Sequence, residues 1–122
     1  SPIMPAHYIG ADAHAENSIV SEGCEIYGCI ERSVLFTGVR VGRNAVIENS
    51  VVMPGARIGE GAVIRKAILG ENACVAPGAQ IGIEPDGTNA YDTTLTGDIT
   101  LVASGARIAE CAMIPAGMVV SK

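Results

Sequence analysis

Arg40 and Arg57 occupy the same place in two similar phrases, Gly38-Val39-Arg40-Val41 and Gly55-Ala56-Arg57-Ile58, and Glu25 holds that place in Gly23-Cys24-Glu25-Ile26. If equivalent places stack, two guanidinium groups stand on neighbouring rungs beside a single carboxylate. Such a pair can take a phosphate through forked, charge-assisted hydrogen bonds, or it can form a solvated charge ladder. Arg65, Lys66 and Arg107 are further candidates for the same anion-binding role. Glu16, Glu31 and Glu48 form a second set that ends at Arg65. Paired carboxylates perform acid–base chemistry where a cleft separates their pKa values, and on an open flat face these are expected to stay solvated.

Nucleophilic and metal chemistry have fewer candidates. The two histidines, His7 and His14, both precede the regular part of the pattern, and two cannot build a three-histidine zinc site. His14 is the one candidate base, against a plain surface role. Cys24, Cys29, Cys74 and Cys111 follow no paired metal-ligand spacing and are expected to be reduced thiols. No phosphate-binding glycine loop with its lysine is present, nor a Gly-x-Ser-x-Gly elbow. The expectation is a chain with no catalytic, cofactor or metal residues of its own.

The elements that position these residues come from an internal repeat. Glu16-Asn17-Ser18-Ile19-Val20, Glu31-Arg32-Ser33-Val34-Leu35, Glu48-Asn49-Ser50-Val51-Val52 and Arg65-Lys66-Ala67-Ile68-Leu69 end 15, 17 and 17 residues apart. The Gly-x-x-Ile/Val phrases and a third column, Ala15, Ile30, Ile47 and Ile64, keep the same steps. Each repeat thus holds three short segments, each with a branched residue and a small one two places earlier. Residues two apart share one side of an extended strand, so every segment presents one inward wedge. Three such segments per turn predict a triangular coil that buries its core only by stacking. The fold expected is an all-β hexapeptide-repeat solenoid, a single-stranded parallel β-helix. Its left hand is implied by resemblance to known hexapeptide helices and departs from the usual crossover preference.

Composition agrees. The chain is 48% hydrophobic with only 3% aromatic residues and no tryptophan, as a narrow prism requires, and its 15 glycines include Gly10, Gly42, Gly59, Gly61 and Gly82 at expected corners. A net charge of −5 disfavours nucleic acid or an acidic membrane as partner. No apolar run approaches the ~20 residues that span a bilayer, and no secretory signal is visible. One domain is expected over 1–122, with an irregular lead-in at 1–8, a polar loop insertion at about 83–98 and final coils at 99–120. That loop is either a binding excursion or an insertion without a role.

The residue before each inward position should face out. In one column these are Ile19, Val34, Val51 and Ile68, with Phe36 and Met53 beside them. An exposed apolar stripe of this kind predicts a docking surface.

From Tyr8-Ile9-Gly10 through Ser21-Glu22-Gly23-Cys24-Glu25-Ile26-Tyr27-Gly28, then Glu31-Arg32-Ser33-Val34-Leu35-Phe36 and Glu48-Asn49-Ser50-Val51-Val52-Met53-Pro54, the chain resembles the C-terminal domain of bacterial glucose-1-phosphate adenylyltransferases. The shortened coil between Ile26 and Ile30 is part of the likeness. The resemblance implies a cytoplasmic enzyme that joins ATP and glucose 1-phosphate, with Mg2+, in an N-terminal nucleotidyltransferase domain absent from this chain. The β-helix would then serve regulation and assembly, with its own catalytic domain and neighbouring subunits of a tetramer as partners. A sugar-phosphate or nucleotide effector is also implied, but Gly70-Glu71 and Cys111 stand where plant relatives carry an Asp-Lys pair and a lysine. Rival readings of the same repeat are a free-standing trimeric acyltransferase using acetyl-CoA, the β-helix of another sugar-nucleotide transferase, and a pure scaffold.

Overall fold

The computed structural model describes residues 8–83 and 99–121. Among them lie eighteen short strands in three six-stranded parallel sheets. The first sheet stacks β1 (Tyr8–Ile9), β4 (Glu25–Ile26), β7 (Arg40–Val41), β10 (Arg57–Ile58), β13 (Cys74–Val75) and β16 (Arg107–Ile108). The second stacks β2 (His14–Glu16), β5 (Cys29–Glu31), β8 (Val46–Glu48), β11 (Val63–Arg65), β14 (Gln80–Ile83) and β17 (Met113–Pro115). The third stacks β3 (Ile19–Val20), β6 (Val34–Leu35), β9 (Val51–Val52), β12 (Ala67–Leu69), β15 (Thr100–Val102) and β18 (Val119–Val120). Successive strands belong to successive sheets, so the chain winds through about six turns of a three-sided solenoid, the left-handed β-helix of hexapeptide repeats.

The core is the inside of the prism. Ile26, Ile30, Leu35, Val41, Ile47, Val52, Ile64, Leu69 and Ile81 are fully buried, and the small residues two places before them, such as Cys24, Ala45, Ala62 and Ala79, are buried with them. Burial pushes the Cys24 thiol up in pKa, and its Sγ donates to the Phe36 carbonyl at 3.1 Å.

The repeated Glu-Asn-Ser phrase has a physical division of labour. Its acid faces out from the second sheet, its middle residue turns the corner, and its serine enters the core. The corner residues Asn17, Arg32, Asn49 and Lys66 have φ between 47° and 51°, the left-handed region that asparagine tolerates best among residues with a side chain. Ser33 and Ser50 are buried. The Ser33 N–H donates to Ser18 Oγ and the Ser50 N–H to Ser33 Oγ, both at 3.1 Å, while Ser33 and Ser50 hydroxyls donate to the Glu31 and Glu48 carbonyls. Each serine therefore replaces, at the corner, the strand-to-strand hydrogen bond that the turn interrupts.

Three expectations need correction, and the corner glycines divide into two kinds. Gly61 and Gly82 have positive φ, whereas Gly10, Gly42 and Gly59 do not. At Gly42 and Gly59 the requirement is close approach: a Cβ on Gly42 would lie 2.7 Å from the Glu60 nitrogen, and one on Gly59 2.5 Å from the Pro77 nitrogen. Tyr8, expected in an irregular lead-in, already pairs with Glu25 in the first sheet. His14, expected ahead of the coils, lies within β2. Ile83, expected in the loop, ends β14, with a register shift at Gly82 (φ 83°) that inserts a β-bulge. The rest of that loop, 84–98, lies outside the described residues, as does His7. No helix among the described residues is long and apolar enough to cross a membrane.

Candidate functional site

Two of the three outer faces carry a distinctive surface. On the first sheet the outward column reads Tyr8, Glu25, Arg40, Arg57, Cys74 and Arg107, each in register with the next. Each strand here is two residues long, so one side chain points in and one points out. The next position along is Gly42, Gly59, Ala76 or Ala109, which leaves bare backbone beside the arginine stems. The result is an open groove of about 810 Å3, lined by Tyr27, Arg40, Arg57, Cys74 and Arg107 among others.

Charge within the groove is unevenly compensated. Arg40 Nε donates to Glu25 Oε2 at 2.9 Å, and the Tyr27 hydroxyl donates to Glu25 Oε1 at 3.2 Å. The Arg40 hydrogen bond and charge hold the Glu25 carboxyl below the usual carboxylate range. Arg57 and Arg107 form no salt bridge among the described residues. Tyr8 and Tyr27 close one end of the column with ring centroids 5.8 Å apart.

The structure divides the five basic candidates. Arg40, Arg57 and Arg107 share this column. Arg65 does not: it is on the second sheet, where its Nε donates to Glu48 Oε1 at 2.8 Å. Lys66 turns the corner between the second and third sheets and lies beside Asn49, Ile68 and Ile99, away from the groove. Arg107 joins Arg57 because the coil count resumes after residue 98 in the same phase. The sequence reading missed Cys74, which stands between them. Its signal was present, since Cys74 precedes inward Val75 as Arg57 precedes Ile58.

The acidic column Glu16, Glu31 and Glu48 is in register as expected. Glu48 is not simply solvated, because Arg65 holds it, and Glu31 pairs with Arg32, whose Nε also donates to Asn49 Oδ1 at 2.9 Å.

The third sheet carries the apolar stripe. Ile19, Val34, Val51 and Ile68 form its outward column, and Leu101 and Val119 extend it to the last coil. Ile19 and Val119 are each 65% exposed, and Phe36 stands exposed beside them, with Met53 half-buried. Six apolar side chains in one line along the full length of a solenoid form a surface that water wets poorly.

Comparison with known proteins gives these surfaces a context. The sequence profile of the family "GlmU-like, C-terminal hexapeptide" matches residues 4–102. The glucose-1-phosphate adenylyltransferase of Pseudothermotoga lettingae is 49% identical over 120 residues, 98% of this chain and 27% of that protein. That of Acetivibrio thermocellus is 53% identical over 47 residues, 38% of this chain and 11% of that protein. The chain therefore spans about a quarter or less of the length of these curated relatives. Among solved structures, a hexapeptide transferase family protein from Anaplasma phagocytophilum is 20% identical, covering 95% of this chain and 70% of that one at a TM-score of 0.41. With most of its length matched by that one profile, this chain belongs to the GlmU-like C-terminal hexapeptide family.

Proposed function

We propose that this chain is the C-terminal regulatory and assembly domain of a cytoplasmic glucose-1-phosphate adenylyltransferase, the enzyme that makes ADP-glucose and pyrophosphate from ATP and glucose 1-phosphate for glycogen synthesis. The observation that carries this reading is the P. lettingae match, which takes in nearly all of this chain but only 27% of the relative. The catalytic residues, and the Mg2+ that accompanies ATP, belong in this reading to the part of the enzyme outside the chain. The domain's own contribution is to assembly and control.

Two surfaces supply those roles. The apolar column from Ile19 to Val119 docks the catalytic region or a neighbouring subunit, hiding a stripe that is costly to leave in water. The first-sheet groove holds an anionic effector through Arg57 and Arg107, the two guanidinium groups there without an acidic partner among the described residues. Arg40 serves mainly to fix Glu25.

The test is made in the full-length enzyme. Val34→Asp with Val51→Asp places two charges in the stripe at outward positions, so the coil still folds while docking fails. Loss of the native oligomer and of activity, with the isolated domain still folded by circular dichroism, is the expected result. Unchanged assembly and activity would count decisively against the stripe as an interface.

A further inference from the structure

One corner of the solenoid is cut short. From the inward residue of the first sheet to that of the second the step is six residues in five coils, as from Val41 to Ile47, but four from Ile26 to Ile30. The two corner residues that the other coils place there, such as Arg43-Asn44 or Glu60-Gly61, are missing. Gly28 makes the shortcut possible: it is buried, and a Cβ on it would lie 2.9 Å from the Gly42 carbonyl oxygen. The full corners of the coils on either side stay in place, so the deletion leaves a notch of about 460 Å3 between them.

The deletion also breaks a hydrogen-bond ladder. Along this edge the Gly61 N–H donates to the Arg43 carbonyl and the Gly78 N–H to the Glu60 carbonyl, both at 2.9 Å, and the Cys111 N–H to the Pro77 carbonyl at 3.1 Å. With no such corner in the second coil, the Asn44 N–H has no backbone acceptor and the Ala11 carbonyl no backbone donor among the described residues. An unpaired donor and an unpaired acceptor thus border the notch from opposite sides. Asp12 and Arg43 repeat that arrangement with a carboxylate on one side and a guanidinium on the other, and neither forms a salt bridge among the described residues. Tyr8 and Tyr27 wall the notch, with ring centroids 5.8 Å apart.

We propose that the notch holds one pyranose ring, of a free sugar or of an oligosaccharide. Donors and acceptors are matched there and the two side-chain charges cancel, which disfavours a simple anion or cation. A hydroxyl both donates and accepts, so neighbouring hydroxyls of one ring take hydrogen bonds from the Asn44 N–H and Arg43 on one side and give them to the Ala11 carbonyl and Asp12 on the other. The ring's C–H face packs on the tyrosines, which offer apolar surface with a polar tip. The volume falls within the ~300–1,000 Å3 of small-molecule sites. Tyr27 separates this notch from the arginine groove, which it also lines. The inference is independent of the role proposed for the whole domain.

Amide NMR titration of the 122-residue chain with glucose tests it, a sugar whose equatorial hydroxyls leave two C–H faces. Saturable shifts centred on the Asn44 and Asp12 amides are expected, with the Tyr27 ring signals moving alongside. Asp12→Ala and Arg43→Ala should each weaken binding about tenfold or more, while Arg57→Ala in the groove leaves it unchanged. Asp12 and Arg43 are exposed, and thermal unfolding verifies that each variant folds. Maltotriose binding more tightly than glucose assigns the notch to a ring within a chain, and equal affinity assigns it to a free sugar. No saturable shift with either sugar, full affinity in both notch variants, or a matching response to glycine or inorganic phosphate would each overturn the site.

Discussion

Arg40 reaches back one coil to Glu25, Nε to Oε2 at 2.9 Å, and the next guanidinium on the same column, Arg57, forms no salt bridge among the described residues. The three arginines of this face thus divide into one internal ion pair and two guanidinium groups, Arg57 and Arg107, with no ion-pair partner among the described residues.

The pair carries a pH signature of definite sign. The Glu25 pKa is lowered from its ordinary 4.5 in the folded chain by the Arg40 hydrogen bond and charge. Its contribution is therefore fully present above that ordinary value and is lost as pH falls below it through the folded value. Glu25→Gln should lower the melting temperature slightly at pH 7, the effect of an exposed pair being small. The difference from the unsubstituted chain should close in acid, as followed by circular dichroism melts between pH 7 and pH 3.

If the groove holds the effector as proposed, control should follow Arg57 and Arg107, which have no ion-pair partner among the described residues. In the full-length enzyme, Arg57→Ala or Arg107→Ala should raise the concentration of anionic effector needed for half-response about tenfold or more, since hydrogen bonds to charged groups are among the stronger ones. Arg65→Ala and Lys66→Ala should leave it unchanged, because those residues lie outside the groove. An effector titration of the four variants checks the ranking, and equal responses throughout would make the column a charge ladder only.

Two glycines should fail for different reasons. Gly38 has φ 75° and open space for 4 Å around where a Cβ would stand, so Gly38→Ala costs about 1 kcal/mol of left-handed strain. Gly42→Ala instead drives a methyl into the Glu60 and Gly59 backbone at 2.7 and 2.9 Å, where no side chain can yield. Overpacking of this kind costs about 1–3 kcal/mol. Urea unfolding should therefore rank Gly42→Ala as the more damaging.

The serine ladder should be steeper inside than at its end. Ser50 Oγ accepts from the buried Ala67 N–H at 3.2 Å and donates to the half-buried Glu48 carbonyl at 2.8 Å. Ser50→Ala strands that N–H away from water, at a cost of about 1–3 kcal/mol. Ser18→Ala, at the half-buried first rung, should cost less in the same denaturant assay, because water reaches the freed group.

The inward and outward residues were legible because the side-chain period of a strand is fixed at two. Once Ile26, Val41, Ile58 and Val75 were seen to recur, Glu25, Arg40, Arg57 and Cys74 had to share an outer column. The same logic gave the stripe at Ile19, Val34, Val51 and Ile68. Leu101 and Val119 were equally available, since each precedes an inward valine.

What the sequence determined by itself is the repeat, and with it the coil, the core and the register of each column, because stacking equal turns leaves no other way to bury one wedge per segment. What only the tertiary structure decided is which charges pair between coils and which glycines are bound by space rather than by φ. Arg40 and Arg57 occupy equivalent places in the repeat, yet one is neutralised by Glu25 from the coil before and the other is not. Gly38 and Gly42 lie four residues apart in one coil, yet one is required by its positive φ and the other by the close backbone of the next coil. Those differences depend on contacts between turns, and a contact between turns exists only after the chain has wound onto itself.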